Sequence, residues 1–309
     1  MKRTLRQLFF LLLFNACAFG ELPDVLKLER LYTDEFCYTL PRSTIEGYLR
    51  GVAFNNEEPY TPEERERLEA DIQEIWANIL ERNPPKEKVA LITAGAPGAG
   101  KTIQLRKLLG NTAYICPDDV CLKQQVRTYV PEGQRDLRNA YTKWRPGSNA
   151  AAHLILANLI REGYAFSFGT TSTGSNAPKL FQLLHDQGYR IKLIHVIAPD
   201  TVRWASILKR DESFVQTTES DTRMKGRIAP QRIKDTFLHY ADEIDFYYRN
   251  GRDSDAILVA TWIKDGKLLE IKDRRHYNLM KAIHNTAVDT LEMPELRWEH
   301  AVESFSSKA

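Results

Sequence analysis

Gly95-Ala96-Pro97-Gly98-Ala99-Gly100-Lys101-Thr102 fits the pattern G-x-x-x-x-G-K-[ST], and its flanks decide the fold. Val89-Ala90-Leu91-Ile92-Thr93 comes before it, an apolar run of strand length. Ile103–Leu109 follows, apolar at 105, 108 and 109 with Gly110 as a stop signal, which predicts a helix over 101–109. A glycine-rich turn from a buried strand into a helix N-terminus aims its N–H groups at a phosphate chain. Gly95, Ala96, Pro97, Gly98, Ala99 and Gly100 then supply the cradle. Lys101 reaches the β- and γ-phosphates, and the Thr102 hydroxyl ligands Mg²⁺. An ordinary polar turn is the competing reading, and the flanks argue against it. The pattern implies ATP, with GTP as the second choice, and Mg²⁺. It does not name a reaction.

Strands and helices alternate outward from the loop. A strand over 113–117 completes a βαβ unit. Ser148 is read as the cap of a helix running to Gly163, followed by a strand Tyr164–Phe168, a helix Ala177–Asp186 and a strand Arg190–Ala198. Ile257–Trp262 and Lys267–Ile271, around Asp265-Gly266, read as a hairpin, and a helix from Asp273 to Val288 closes the chain. Upstream, Thr61-Pro62-Glu63-Glu64 is a capping box, and Leu68, Ile72, Ile75, Trp76, Ile79 and Leu80 make one apolar helix face. The expectation is an α/β protein of the P-loop NTPase type: a three-layer fold with a mostly parallel sheet and helices on both faces. It is read as a single domain with a helical extension over 19–86, a core over 87–272 and a C-terminal helix within 273–309.

A formal charge of +2 is too small to suggest a nucleic-acid partner. The first residues form a separate unit. Lys2, Arg3 and Arg6 precede an apolar run from Leu8 to Phe14 and then Asn15-Ala16-Cys17-Ala18, the layout of a secretory signal over 1–18. Such a run is too short to span a bilayer, so no integral membrane segment is expected. Export, to the periplasm or beyond, is the expectation; a basic N-terminal helix on a cytoplasmic protein is the alternative. Cys37, Cys116 and Cys121 are an odd set for a disulfide framework.

Ligands in an open α/β sheet lie beyond the carboxyl ends of the strands. One strand ends in Cys116-Pro117-Asp118-Asp119, where Asp118 can take a proton from an attacking hydroxyl and Asp119 can cap the next helix. Another ends in Gly169-Thr170-Thr171-Ser172-Thr173-Gly174, whose hydroxyls offer substrate contacts. Basic residues cluster from Arg203 to Lys234 around Asp211–Ser220, a stretch poor in apolar residues that reads as a mobile lid. Arginines closing over a γ-phosphoryl group supply a fixed positive field.

These features together resemble the zeta toxin family of P-loop kinases. The resemblance covers roughly 60–260 and rests on the loop, on Pro117-Asp118 with the later Pro131, on Leu208-Lys209-Arg210 and on Arg227-Ile228-Ala229-Pro230. It implies Asp118 as general base, Arg210 and Arg227 as phosphate-facing arginines, and an inhibitory antitoxin-like protein partner. Known members phosphorylate UDP-N-acetylglucosamine. Pro146-Gly147-Ser148-Asn149 matches the family's substrate helix, but His153 stands where sugar-phosphorylating members have a glutamate, and Phe168 replaces an acidic residue. Asn149, His153, Thr170 and Thr171 are therefore the candidate acceptor contacts. The resulting expectation is ATP-dependent transfer of a phosphoryl group to a hydroxyl of a small metabolite, with a nucleotide sugar among the candidates. Its competitor is a nucleotide-binding regulator or secreted effector that makes no phosphorylated small molecule.

Overall fold

The computed structural model describes residues 60–129 and 137–307, together with Leu26 and Arg30. The expected leader over 1–18, most of the expected extension before residue 60, Cys37 and Pro131 lie outside the described residues.

The strands are β1 (Val89–Ala94), β2 (Ala113–Ile115), β3 (Phe166–Phe168), β4 (Arg190–Ile197), β5 (Glu243–Tyr248), β6 (Ile257–Ile263) and β7 (Leu268–Ile271). They form one seven-stranded sheet in the order β2-β3-β1-β4-β5-β6-β7. The first five in that order are parallel, and β6 and β7 add an antiparallel edge. The helices are α1 (Pro62–Glu81), α2 (Lys101–Leu108), α3 (Pro117–Tyr129), α4 (Leu137–Glu162), α5 (Ala177–Asp186), α6 (Asp200–Asp211), α7 (Glu219–Arg232) and α8 (Arg274–Asp289). A π-turn at Ile233–Phe237 and a last turn at Leu238–Tyr240 continue α7.

The centre of the sheet is apolar on both faces, as a covered parallel sheet requires. Ala90, Ile92, Ile191, Leu193, Ile194, Ile244 and Phe246 are fully buried. Because β1 lies between β3 and β4, the loop after β1 leaves the sheet at its middle, where neighbouring connections depart to different sides. That position gathers the carboxyl ends of β1, β2, β3 and β4 around one cleft. The capping box forms as read: Glu64 N–H donates to Thr61 Oγ1 at 3.3 Å and Thr61 N–H to the Glu64 carboxylate at 2.9 Å.

Three local readings are corrected. Ser148 does not start a helix; α4 begins at Leu137 and runs through Pro146. A proline inside a helix deprives the ladder of an N–H and disturbs its neighbours. Here the Tyr60 hydroxyl enters the gap, accepting from Gly147 N–H at 3.2 Å and donating to the Lys143 carbonyl. The Tyr60 ring stacks on Trp144 at 5.1 Å, so Tyr60 holds α4 at the proline through both its ring and its hydroxyl. Asp119 is no N-cap either, since α3 already begins at Pro117; its carboxylate accepts from Tyr114 Oη at 2.6 Å and Arg106 at 3.0 Å. The link between α6 and α7 is not a free strap: Val215 and Thr217 are buried, and Gln125 Nε2 donates to the Val215 carbonyl at 3.0 Å. The lid is thus α6, a tethered link and α7.

Candidate active site

The phosphate loop is held by close backbone contacts. Gly95 has φ +120°, and a Cβ there would lie 2.3 Å from the Val196 carbonyl oxygen; at Gly98, with φ +81°, it would lie 2.4 Å from that of Arg203. Both positions demand glycine for conformation and for space. Gly95 N–H donates to the Thr171 carbonyl at 3.1 Å, and Thr170 N–H to Thr93 Oγ1 at 2.8 Å, tying the loop to the turn after β3. No side chain caps the N-terminus of α2, so its free N–H groups face the loop interior, a ready anion site.

A cavity of about 460 Å³ opens over this loop. Gly98, Gly100, Lys101 and Thr102 form its floor, and Asp118 stands at the end of β2. Arg145, Asn149 and His153 line it from α4, Phe168, Thr170 and Thr171 from β3 and its turn, and Arg210 and Lys225 from the lid. Ile103, Ser206, Lys209, Arg249 and Arg252 also line it. Arg249 Nη1 donates to the Gly98 carbonyl and to Ser206 Oγ, both at 3.3 Å, which braces the loop from the β5–β6 connection.

One cavity brings together Pro97, Gly98, Gly100, Lys101 and Thr102 of the loop with Asp118, Arg210, Asn149, His153, Thr170 and Thr171, whereas Gly95, Ala96 and Ala99 lie on the other side of the loop with Arg227. Arg227 lines a neighbouring cavity of about 480 Å³ instead. The geometry of α7 separates them. Two residues advance about 200° around a helix, so Lys225 and Arg227 face opposite ways. Arg203 stands between the two cavities, its Nε donating to the Pro97 carbonyl at 3.0 Å and its Nη2 to that of Thr222 at 3.4 Å. Arg145, Arg249 and Arg252 are cavity groups that the sequence did not single out, and Lys225 was read only as one member of the basic cluster.

Electrostatics follow from crowding. Burial, together with Arg203, Lys225 and Arg210, lowers the Lys101 ammonium from its usual 10.5 to about 7, against the opposing pull of Asp118. Its Nζ donates to the Ala96 carbonyl at 2.9 Å. Burial pushes the Asp118 carboxyl up, but its ion pair with Arg145, with Arg210 and Lys225 farther off, prevails and holds it below the usual carboxylate range. His153 Nδ1 pairs with the Asn149 carbonyl at 2.9 Å, its ring packs edge-on to Phe168 at 5.6 Å, and burial lowers its pKa to about 4. A neutral imidazole therefore faces the cavity.

A triphosphate beside Lys101 favours its charged form, so binding above pH 7 must take up a proton. With Mg²⁺ present, ATP affinity is expected to fall about tenfold per pH unit above pH 7. Calorimetry in buffers of different ionisation enthalpy should show proton uptake rising from near zero at about pH 6 towards one per ATP by about pH 9. A flat profile would mean that the Lys101 ammonium is already charged in the free protein or does not meet the phosphates, and Lys101→Ala, which weakens ATP binding only in the first case, separates the two.

The oxygen of Thr102, at the start of α2, suits a magnesium ion, which prefers hard oxygen ligands and keeps water and phosphate oxygens in its shell. No cluster of three or more His, Cys, Asp or Glu residues suited to a metal occurs among the described residues. No helix among the described residues is long and apolar enough to cross a membrane.

A family model described as Zeta toxin matches residues 74–276. The solved AvrRxo1-ORF1:-ORF2 complex with ATP superposes with a TM-score of 0.54 at 15% identity, covering 81% of this chain and 87% of that one. The same complex with sulphate ions gives 0.54 at 14% identity, with 81% and 88% covered. The PezAT chromosomal toxin–antitoxin system of Streptococcus pneumoniae gives 0.48 at 17% identity, with 79% and 98% covered. At these identities the likeness is one of fold. No curated protein matches the chain.

Proposed function

This chain belongs to the zeta toxin family, and from that premise we propose that it transfers the γ-phosphoryl group of ATP to a hydroxyl of a small molecule. One observation carries the reading. A single cavity holds a phosphate loop with its lysine, a strand-end carboxylate and three lid cations, Lys209, Arg210 and Lys225. The triphosphate lies on the loop amides and Lys101, with its nucleoside towards Ile103, Ser206 and Arg252. The acceptor enters from the α4 side, its hydroxyl beside Asp118. Asp118 takes the hydroxyl proton as the oxygen attacks phosphorus, and the bridging P–O bond breaks to leave ADP. Arg210 and Lys225 balance the charge that develops on the transferring group. Thr102 would hold the Mg²⁺ that accompanies the nucleotide, and the ion would supply charge neutralisation at the phosphates. A protein partner belongs to the same proposal, since the solved AvrRxo1-ORF1 structures are complexes with AvrRxo1-ORF2.

The test is γ-labelled ATP with a metabolite extract. A labelled small molecule supports the kinase; free phosphate alone, or no turnover, supports a nucleotide switch. Within that assay, Arg210→Ala and Lys225→Ala should each lower transfer by about a hundredfold or more. Arg227→Ala should stay close to wild type, because that side chain faces the other cavity. The opposite ranking would move the second phosphate-facing role back to Arg227.

A further inference from the structure

Tyr60 meets α4 from the position just before Thr61, the cap of α1, and only 4% of it is exposed. In an unbroken α-helix the Gly147 N–H would donate to the Lys143 carbonyl, four residues back. Here the Tyr60 hydroxyl stands between the two, accepting from Gly147 N–H at 3.2 Å and donating to the Lys143 carbonyl. The approach favours glycine, because a Cβ at 147 would lie 3.1 Å from Tyr60 Oη and 3.2 Å from Leu68 Cδ2. The same turn is gripped twice more. The Tyr60 and Trp144 rings stack with 14° between their planes. Lys143 Nζ pairs with Glu64, the glutamate of the α1 capping box, and both side chains are mostly buried.

The turn so held is the one that serves the cavity. Arg145 lies inside it, in contact with Asp118. Asn149 and His153 follow at intervals of four residues on the same helix face, and all three line the cavity. Tyr60 does not line it. A proline ring clashes with the carbonyl four residues back, here that of Thr142, so Pro146 keeps this stretch from closing into regular helix. Where a side chain enters the backbone ladder, the two halves of a helix take their relative angle from it.

Resting on the kinase reading, we propose that Tyr60 is a positioning residue for phosphoryl transfer. Its hydroxyl, inserted into α4, fixes the angle at which Arg145 meets Asp118 and at which Asn149 and His153 enter the cavity. Tyr60 acts through the backbone of α4 and touches neither nucleotide nor acceptor. A displacement of about 1 Å at a reacting pair can cost about a hundredfold in rate, so one rung of backbone outside the cavity can govern turnover.

The full chain, γ-labelled ATP and a metabolite extract as the source of acceptor test this. Tyr60→Phe keeps the ring on Trp144 and removes only the hydroxyl. Label transfer should fall at least about tenfold, while ATP affinity by calorimetry stays within about twofold of wild type. The acidic limb of the pH profile should move upwards, because burial raises the Asp118 carboxyl and Arg145 is the largest influence opposing it. Both readouts are taken on folded protein, where a purely structural role would move neither.

Pro146→Ala added to Tyr60→Phe separates position from stability. Alanine removes the ring and restores an N–H, so the ladder can close without the hydroxyl. The double variant should melt higher than Tyr60→Phe and still transfer poorly, since a closed ladder changes the angle that the cavity uses. Transfer that returns together with the melting temperature would overturn the proposal and make Tyr60 a structural residue. Wild-type transfer with an unmoved acidic limb in Tyr60→Phe would overturn it too, and either result leaves the kinase reading standing. No labelled product from the wild-type chain would remove the kinase reading, and this inference with it.

Discussion

Asp118→Asn is expected to lower phosphoryl transfer by about a hundred- to ten-thousandfold, the usual range for loss of a general base. The substitution keeps the shape of the side chain and removes its charge. Asparagine cannot take the acceptor's proton, so the attacking oxygen would have to carry it into the transition state. ATP binding should be unchanged or slightly tighter, because a negative charge leaves a cavity built for phosphates. Lys101 should respond as well. Asp118 is the one major influence that favours its charged form, so its ammonium should titrate below 7 in the variant. Arg145 loses its carboxylate partner, which costs stability, and thermal unfolding should record that loss separately from the kinetics. Transfer rate, ATP affinity and melting temperature measured on one preparation keep the effects apart. A folded Asp118→Asn protein with wild-type turnover would show that the proton leaves by another route.

The phosphate loop was legible because its pattern is local: strand, glycines, lysine and helix occur within about twenty residues, and each part has one physical role. Asp118 was legible for a similar reason, lying at the end of a short strand in an alternating α/β chain. The lid was legible only as composition. Which basic residue points inwards depends on the phase of α7, fixed by where Thr218 caps it and by what Ala229, Pro230 and Ile233 bury. A spacing of two along a helix turns Lys225 and Arg227 apart, and no charge count conveys that. Arg145 was hidden by Pro146. With Ser148 read as the helix cap, the residues before Pro146 fell outside the helix, where a proline also argues for a boundary. The helix persists because a tyrosine from a distant segment fills the gap in the backbone ladder. With α4 read as continuous, the spacing of Arg145, Asn149 and His153 would have been the signal. Asp119 failed as a cap for a simpler reason: Pro117 is already helical, which puts both aspartates in the first turn, where their charge suits the helix dipole.

Lys101→Met should separate function from stability most sharply. Transfer should fall by about a thousandfold or more, since the charge that meets the β- and γ-phosphates is gone. Methionine has nearly the same length and no ammonium to desolvate, so the loop keeps its packing. The free protein should nonetheless melt higher than wild type at pH 7. The pKa of Lys101 is lowered in the folded state, from 10.5 to about 7, so its charged form is disfavoured by folding. For a base with a depressed folded value, the cost is greatest below the folded pKa and disappears as pH rises towards the unfolded one. The stability advantage of Lys101→Met should therefore be clear at about pH 6, smaller at pH 7 to 8, and gone near pH 10. Magnesium-bound ATP should reverse the order. Wild type gains stability from a ligand that binds only the folded state, and the variant should gain little. Calorimetric melting with and without magnesium-bound ATP across that pH range reads both signs. A variant that melts lower at every pH would mean that the fold favours the Lys101 ammonium, and one that keeps the full ATP-induced shift would mean that Lys101 does not meet the phosphates.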